Sequence, residues 1–139
     1  MILFWSFTET ISIDCDSPYD TEVSIPRTTI VSPNYPSNYD NDKDCNITLR
    51  FAQGQKISLQ FLAFEIEPQS DCLFDYLNIY DGPNSSSSLI GSKLCGQTIP
   101  DSVKSTGDTM HIHFHTDFSV TRSGFKILAE ISKSNYIQL

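Results

Sequence analysis

Three acidic residues stand out for what their side chains could do together: Glu67 in FEIEPQSDC, Asp75 in CLFD and Asp117 in HTDFSV. Carboxylates brought close repel one another and raise each other's pKa unless a cation compensates. A hard cation such as calcium suits such a set, because it takes six to eight oxygen ligands at roughly 2.3 to 2.6 Å. The segments between these acids read as strands, so their meeting requires the two halves of the chain to fold together with the three acids at one end of a β-sandwich.

Other constellations offer less chemistry. His111, His113 and His115 alternate along one strand, which puts three imidazoles on one side with nearest neighbours about 7 Å apart. Two of them could chelate zinc if another ligand approached, but the interleaved Met110, Ile112 and Phe114 point to a solvent-facing row with adventitious metal affinity only. Asp40-Asn41-Asp42-Lys43-Asp44 resembles the opening of a helix-loop-helix calcium loop. That loop needs Gly at its sixth position and Glu at its twelfth, where this chain has Cys45 and Phe51, so a polar surface loop is expected. There is no HExxH, no GxSxG and no glycine-rich phosphate loop. Glu67 with Asp75 could be imagined as a glycosidase pair, yet nothing in so short a chain signals a deep cleft. Catalysis is not expected.

The elements that must position these groups are strands. Apolar residues recur with period two at Ile47, Leu49 and Phe51; at Ile57, Leu59 and Phe61; at Leu77 and Ile79; at Met110, Ile112 and Phe114; and at Phe125 and Ile127. Each set lines one face of a strand. Ser32-Pro33-Asn34, Asp81-Gly82-Pro83-Asn84 and Thr106-Gly107-Asp108 supply turns at spacings typical of antiparallel sandwiches. No amphipathic helix, internal repeat or heptad pattern is found. The 139 residues, nine of them phenylalanine, suit one all-β domain with its own core.

A formal charge of −8 without clustered Lys or Arg excludes nucleic acid as a natural partner. Cations and basic protein surfaces fit better. Four cysteines, Cys15, Cys45, Cys72 and Cys95, suit two disulfides, with three connectivities possible. Without a CxxC pair, structural bridges in an oxidising compartment are favoured over zinc or thiol redox chemistry. Asn46-Ile47-Thr48 and Asn84-Ser85-Ser86 are candidate glycosylation sequons. MILFWSFTET has only a short apolar run, no basic flank and no small-residue cleavage site, unlike a signal peptide. The expectation is therefore a fragment of a longer secreted protein, or one whose leader lies outside this sequence. No stretch approaches the roughly 18 apolar residues of a membrane span.

An ordered series of motifs resembles the CUB domain. It runs through Ser32-Pro33-Asn34-Tyr35-Pro36 with Tyr39, Cys45, Phe61 to Glu67, Cys72-Leu73-Phe74-Asp75 and Ile79-Tyr80-Asp81-Gly82. Leu94-Cys95-Gly96, Phe114-His115-Thr116-Asp117 and Gly124-Phe125 complete it. The resemblance implies a jelly-roll-like sandwich of two mainly antiparallel sheets over residues 15–131, with 1–14 and 132–139 peripheral, and bridges Cys15–Cys45 and Cys72–Cys95. For the calcium-binding branch it implies Glu67, Asp75 and Asp117 as ligands, joined by main-chain oxygens near Ser119 and Val120 and by water. Tyr39 would support the acids by a hydrogen bond. It further implies an extracellular, non-catalytic, protein-binding module whose site holds a Lys or Arg of a partner, with Tyr39, Glu67, Asp117 and Ser119 as contacts.

The chain departs from the family pattern where Asp16 and Ser17 follow the first cysteine in place of the usual glycines, and where the segment from Cys15 to Ser32 is longer. Two alternatives stand beside the calcium-dependent reading. One is a carbohydrate-binding module using Tyr19, Tyr35, Tyr39, Phe74 and Tyr80. The other is a purely structural module of a larger secreted protease or matrix protein.

Overall fold

The computed structural model describes residues 8–17 and 21–133, and the regular elements among these are all strands. In chain order the strands are β1 (Glu9–Ser12), β2 (Thr21–Val23), β3 (Arg27–Val31), β4 (Asp44–Arg50), β5 (Ile57–Glu65), β6 (Tyr76–Asp81), β7 (Ser88–Leu89), β8 (Val103–Lys104), β9 (Thr109–His115) and β10 (Gly124–Ile131). They form two five-stranded sheets, ordered β1-β3-β10-β5-β8 and β2-β4-β9-β6-β7. Every pairing is antiparallel except β1 with β3 and β2 with β4.

The period-two pattern builds the core as expected. Ile47, Leu49, Leu77, Ile79, Met110, Ile112 and Phe114 of the second sheet face Ile57, Leu59, Phe61, Phe125 and Ile127 of the first, and all are buried. Such paired inner faces are what a sandwich requires. Phe114 sits centrally, edge-on to Tyr39 at 5.0 Å and to Phe125 at 5.2 Å between ring centroids. Both disulfides have the expected connectivity, Cys15–Cys45 and Cys72–Cys95.

The sequence reading set residues 1–14 apart as peripheral. Of these, Glu9–Ser12 pairs in parallel with β3, Ile13 is buried, and Asp14 bridges to Asn46 of β4. One segment thus leaves the first sheet at β1 and joins the second at β2.

Candidate functional site

Each of the three acids lies just beyond a strand end. Glu67 follows β5 of the first sheet, Asp75 precedes β6 of the second, and Asp117 follows β9 beside it. The short segment 94–96 fixes the two sheets to each other here: Leu94 bridges to Leu77 of β6 and Gly96 to Ile66, next to Glu67. Cys95, between them, is tied to Cys72 in the loop that leads into Asp75. Gln69 closes that loop, its Oε1 accepting from the amides of Leu73 at 2.8 Å and Asp71 at 3.0 Å.

The result is a compact acidic cluster. One carboxylate oxygen from each of Glu67, Asp75 and Asp117 lies within 4.8 Å of the other two. Two ligands on opposite sides of a calcium ion are separated by about 5 Å, so a spread of this size matches one hard cation. Asp75 is fully buried, Glu67 is 7% exposed, and Asp117 lies at the surface edge. The Tyr39 hydroxyl donates to Asp75 Oδ2 at 2.7 Å and accepts from the Glu67 amide at 3.1 Å. The Asp117 amide donates to Asp75 Oδ1 at 2.8 Å. Asp75 is therefore oriented through both oxygens, each of which keeps a lone pair free.

Glu67 is different. Its Oε2 is buried and has no hydrogen-bond partner. Buried polar atoms are normally paired, and an orphaned carboxylate oxygen carries the full cost of its lost hydration. No ion pair among the described residues reaches Glu67, Asp75 or Asp117; Arg122 pairs instead with Glu65 at 3.8 Å. Burial, then repulsion from Asp75 and Asp117, holds the Glu67 carboxyl above its ordinary pKa. Burial also raises Asp75, against the stabilising bonds from the Asp117 amide and Tyr39. Burial and the bond to Asp75 push the Tyr39 phenol up, so it remains a donor.

The loops bearing the site are pinned from behind. Thr116 Oγ1 accepts from the Lys43 amide at 2.9 Å and donates to the Asp40 carbonyl at 2.8 Å, while the Asp42 amide donates to the Asp117 carbonyl at 2.8 Å. Ser32 Oγ accepts from the Phe125 amide at 3.0 Å, and a Cβ at Gly124 would run into that hydroxyl. Only glycine lets the Ser32 to Tyr39 loop lie against the start of β10, which brings Tyr39 beneath the acids. The Ser119 amide donates to Asp117 Oδ1 at 3.3 Å, and Val120 has φ +67°, a conformation costly for a β-branched residue.

The remaining sequence candidates lie elsewhere. The histidines share the outer face of β9, but they are not the solvent-facing row expected from alternation. His111 is 2% exposed, bonded to Thr48 Oγ1 at 2.9 Å and Asn46 Oδ1 at 3.1 Å. The polar side chains of neighbouring β4 cover it. His113 and His115 are half-buried, each 2.8 Å from Asp44 Oδ1. Asp44, expected in a surface loop, begins β4 instead; burial opposes its ionisation, but the bonds from His115 and His113 win and hold its carboxyl below the ordinary value.

Of the two sequons, Asn84 is exposed and Asn46 is partly buried in β4. Tyr19 lies outside the described residues, and Tyr39 is 2% exposed, which removes it as a sugar platform. Sequence reasoning missed Gln69, Asp40 and Thr116 as loop braces. The HTD triplet beside Asp117 was the available signal for Thr116.

Comparison with known proteins agrees with this architecture. The family model described as the CUB domain matches residues 15–128. Tolloid-like protein 1 of Mus musculus is 38% identical over 114 residues, covering 81% of this chain and 11% of that protein. Cubilin of Rattus norvegicus is 37% identical over 115 residues, covering 83% of this chain and 3% of that protein. The chain thus spans about a tenth or less of these relatives. Among solved structures, the MASP-1 CUB2 domain bound to Ca2+ superposes with a TM-score of 0.71 at 27% identity, covering 79% of this chain and 96% of that one.

Proposed function

The chain belongs to the CUB domain family, and from that premise we propose that it is an extracellular, calcium-dependent protein-binding module. Glu67, Asp75 and Asp117 would hold the ion with main-chain oxygens of Ser119 and Val120 and with water. The observation that carries this reading is the orphaned, buried Oε2 of Glu67 within a set of three carboxylates whose ligand oxygens lie within 4.8 Å of one another. A cation there supplies the missing partner and offsets the mutual repulsion. The Ca2+-bound MASP-1 CUB2 domain, similar in fold, lends support. Pairing of all four cysteines supports an oxidising, extracellular setting.

This chain's residues divide the work by depth. Asp75, bonded on both oxygens, is the fixed element. Tyr39 holds it from beneath and, being buried, enters the proposal as a support rather than a surface contact. Asp117 and Ser119 lie at the edge, where they can meet a partner. Three carboxylates against a divalent ion leave residual negative charge, which suits a Lys ammonium or an Arg guanidinium of a partner protein. No group is placed for bond-breaking chemistry in this proposal. The chain acts as one binding module, in keeping with the larger proteins its relatives belong to.

Titration calorimetry tests the metal assignment. The chain should take up one calcium ion, and Asp117→Ala should abolish uptake and any calcium-dependent capture of a Lys- or Arg-bearing partner while leaving the fold intact by circular dichroism. Undiminished uptake in that variant rejects the assignment.

A further inference from the structure

The acidic end of the sandwich carries apolar side chains that the cation site does not use. Phe118 is 79% exposed, Leu73 61%, Phe74 46% and Val120 45%. Leu73 and Phe74 lead directly into Asp75; Phe118 and Val120 follow Asp117 within three residues. The bond from the Asp117 amide to Asp75 Oδ1 joins the two loops at 2.8 Å, so the four side chains flank one acidic centre. Among the described residues, the other large exposed apolar ones, Ile25, Leu62, Leu89, Ile99 and Ile131, are scattered over other strands and loops. Single exposed apolar side chains are ordinary on a protein surface, whereas four of them on two joined loops make a candidate interaction surface.

The backbones of these loops are held in place. Gln69 Oε1 and the Cys72–Cys95 bridge hold the Leu73–Phe74 loop, and the Thr116, Asp42 and Ser119 bonds hold the Phe118 loop. The apolar groups are thus held out in water beside a centre of residual negative charge. Charge decides the occupant. Exposed Asp40 and Asp42 lie in the segment whose backbone bonds to Thr116 and Asp117, exposed Asp71 lies in the loop closed by Gln69, and the whole chain carries −8. An anionic membrane surface is repelled by that field, whereas a cationic side chain is drawn to it.

Resting on the calcium-dependent reading above, we infer that Leu73, Phe74, Phe118 and Val120 form an apolar rim that selects, among Lys and Arg side chains of protein partners, those flanked by large apolar residues. The carboxylates set the charge of the central residue, and the rim sets its neighbours. A basic residue in a polar context meets the acids but leaves the rim wet. One between leucines fills both, with Leu73 and Phe74 on one side and Phe118 and Val120 on the other. In an extended partner segment the flanking residues are those two positions before and after the cation, since these share its face.

Two immobilised peptides test this, each with one central Lys, carrying either Leu or Ser two positions to either side. In calcium, the chain should bind the Leu-flanked peptide at least tenfold more tightly. The double variant Leu73→Ser, Phe118→Ser should bind both peptides at the Ser-flanked level while taking up calcium as the parent does. Equal binding of the two peptides by the parent chain, or binding of neither, with calcium uptake intact, overturns the rim alone. Absence of calcium uptake in calorimetry overturns the reading on which it rests. Calcium-dependent binding to phosphatidylserine vesicles that is lost in the double variant overturns the choice of a protein partner.

Discussion

The hydroxyl of Tyr39 donates to Asp75 Oδ2 across 2.7 Å, from a ring that is itself wedged edge-on against Phe114 in the core. Tyr39 in this way ties the acidic site to the hydrophobic interior. A hydrogen bond to a buried charge contributes about 2 kcal/mol. Tyr39→Phe keeps the ring packing and removes only the hydroxyl, so it should lower stability in chelator by about that amount. It should also weaken calcium binding, since Asp75 loses one of its two fixed orientations and the Glu67 amide loses its acceptor. Urea unfolding with and without calcium checks both, and an unchanged midpoint in chelator contradicts the first.

Glu67 and Asp75 make stability depend on pH in an unusual direction. Burial holds both carboxyls above their ordinary values, so the metal-free fold keeps protons that the unfolded chain has released. Such groups add stability that is complete below the unfolded pKa and lost as pH rises through the folded pKa. In chelator, their contribution to thermal stability should fall as pH climbs out of the acid range toward neutral. Added calcium competes with those protons and should raise the melting temperature most at neutral pH. Glu67→Gln should flatten this pH dependence in chelator, stabilise the metal-free chain at neutral pH and abolish the calcium increment. Scanning calorimetry giving parallel pH profiles for the two proteins would contradict this.

The two disulfides should differ in what their loss does. They close loops of 30 and 23 residues, each worth about 3.5 kcal/mol by chain entropy. Replacing Cys15 and Cys45 by Ala should cost stability and leave calcium affinity alone. Replacing Cys72 and Cys95 should cost both, because that bridge ties the loop of Asp75 to the segment that holds Ile66 and Leu77 in place. Equal calcium affinities for the two double variants would show that the bridge does not shape the site.

Much of the sandwich was legible because burial on one face leaves a period-two trace. Ile47 and Leu49, Ile57 and Leu59, and Met110 and Ile112 are all fully buried where alternation placed them. The trace fails where a strand is short and polar. Glu9–Ser12 has one apolar residue and Thr21–Val23 likewise, too few to define a period, and both pair in parallel at edges. It also fails for His111, whose outward position is covered by Thr48 and Asn46 across the register with β9, a fact of pairing that no single strand encodes. The acids were picked out by their motif order; their convergence depends on segment 94–96, whose two bridges join residues far apart in the chain. Phe118 reads as a core residue in any hydrophobicity scale, and only the fold places it in solvent.

One segment supplies an outermost strand to each sheet, β1 for one and β2 for the other, while the opposite borders carry the two-residue strands β7 and β8. Unpaired sheet borders invite other chains to add on. Here a single ribbon hems two fabrics at once. Loss of that ribbon would bare β3 and β4 together, opening two borders to lateral stacking while the acidic end stayed whole.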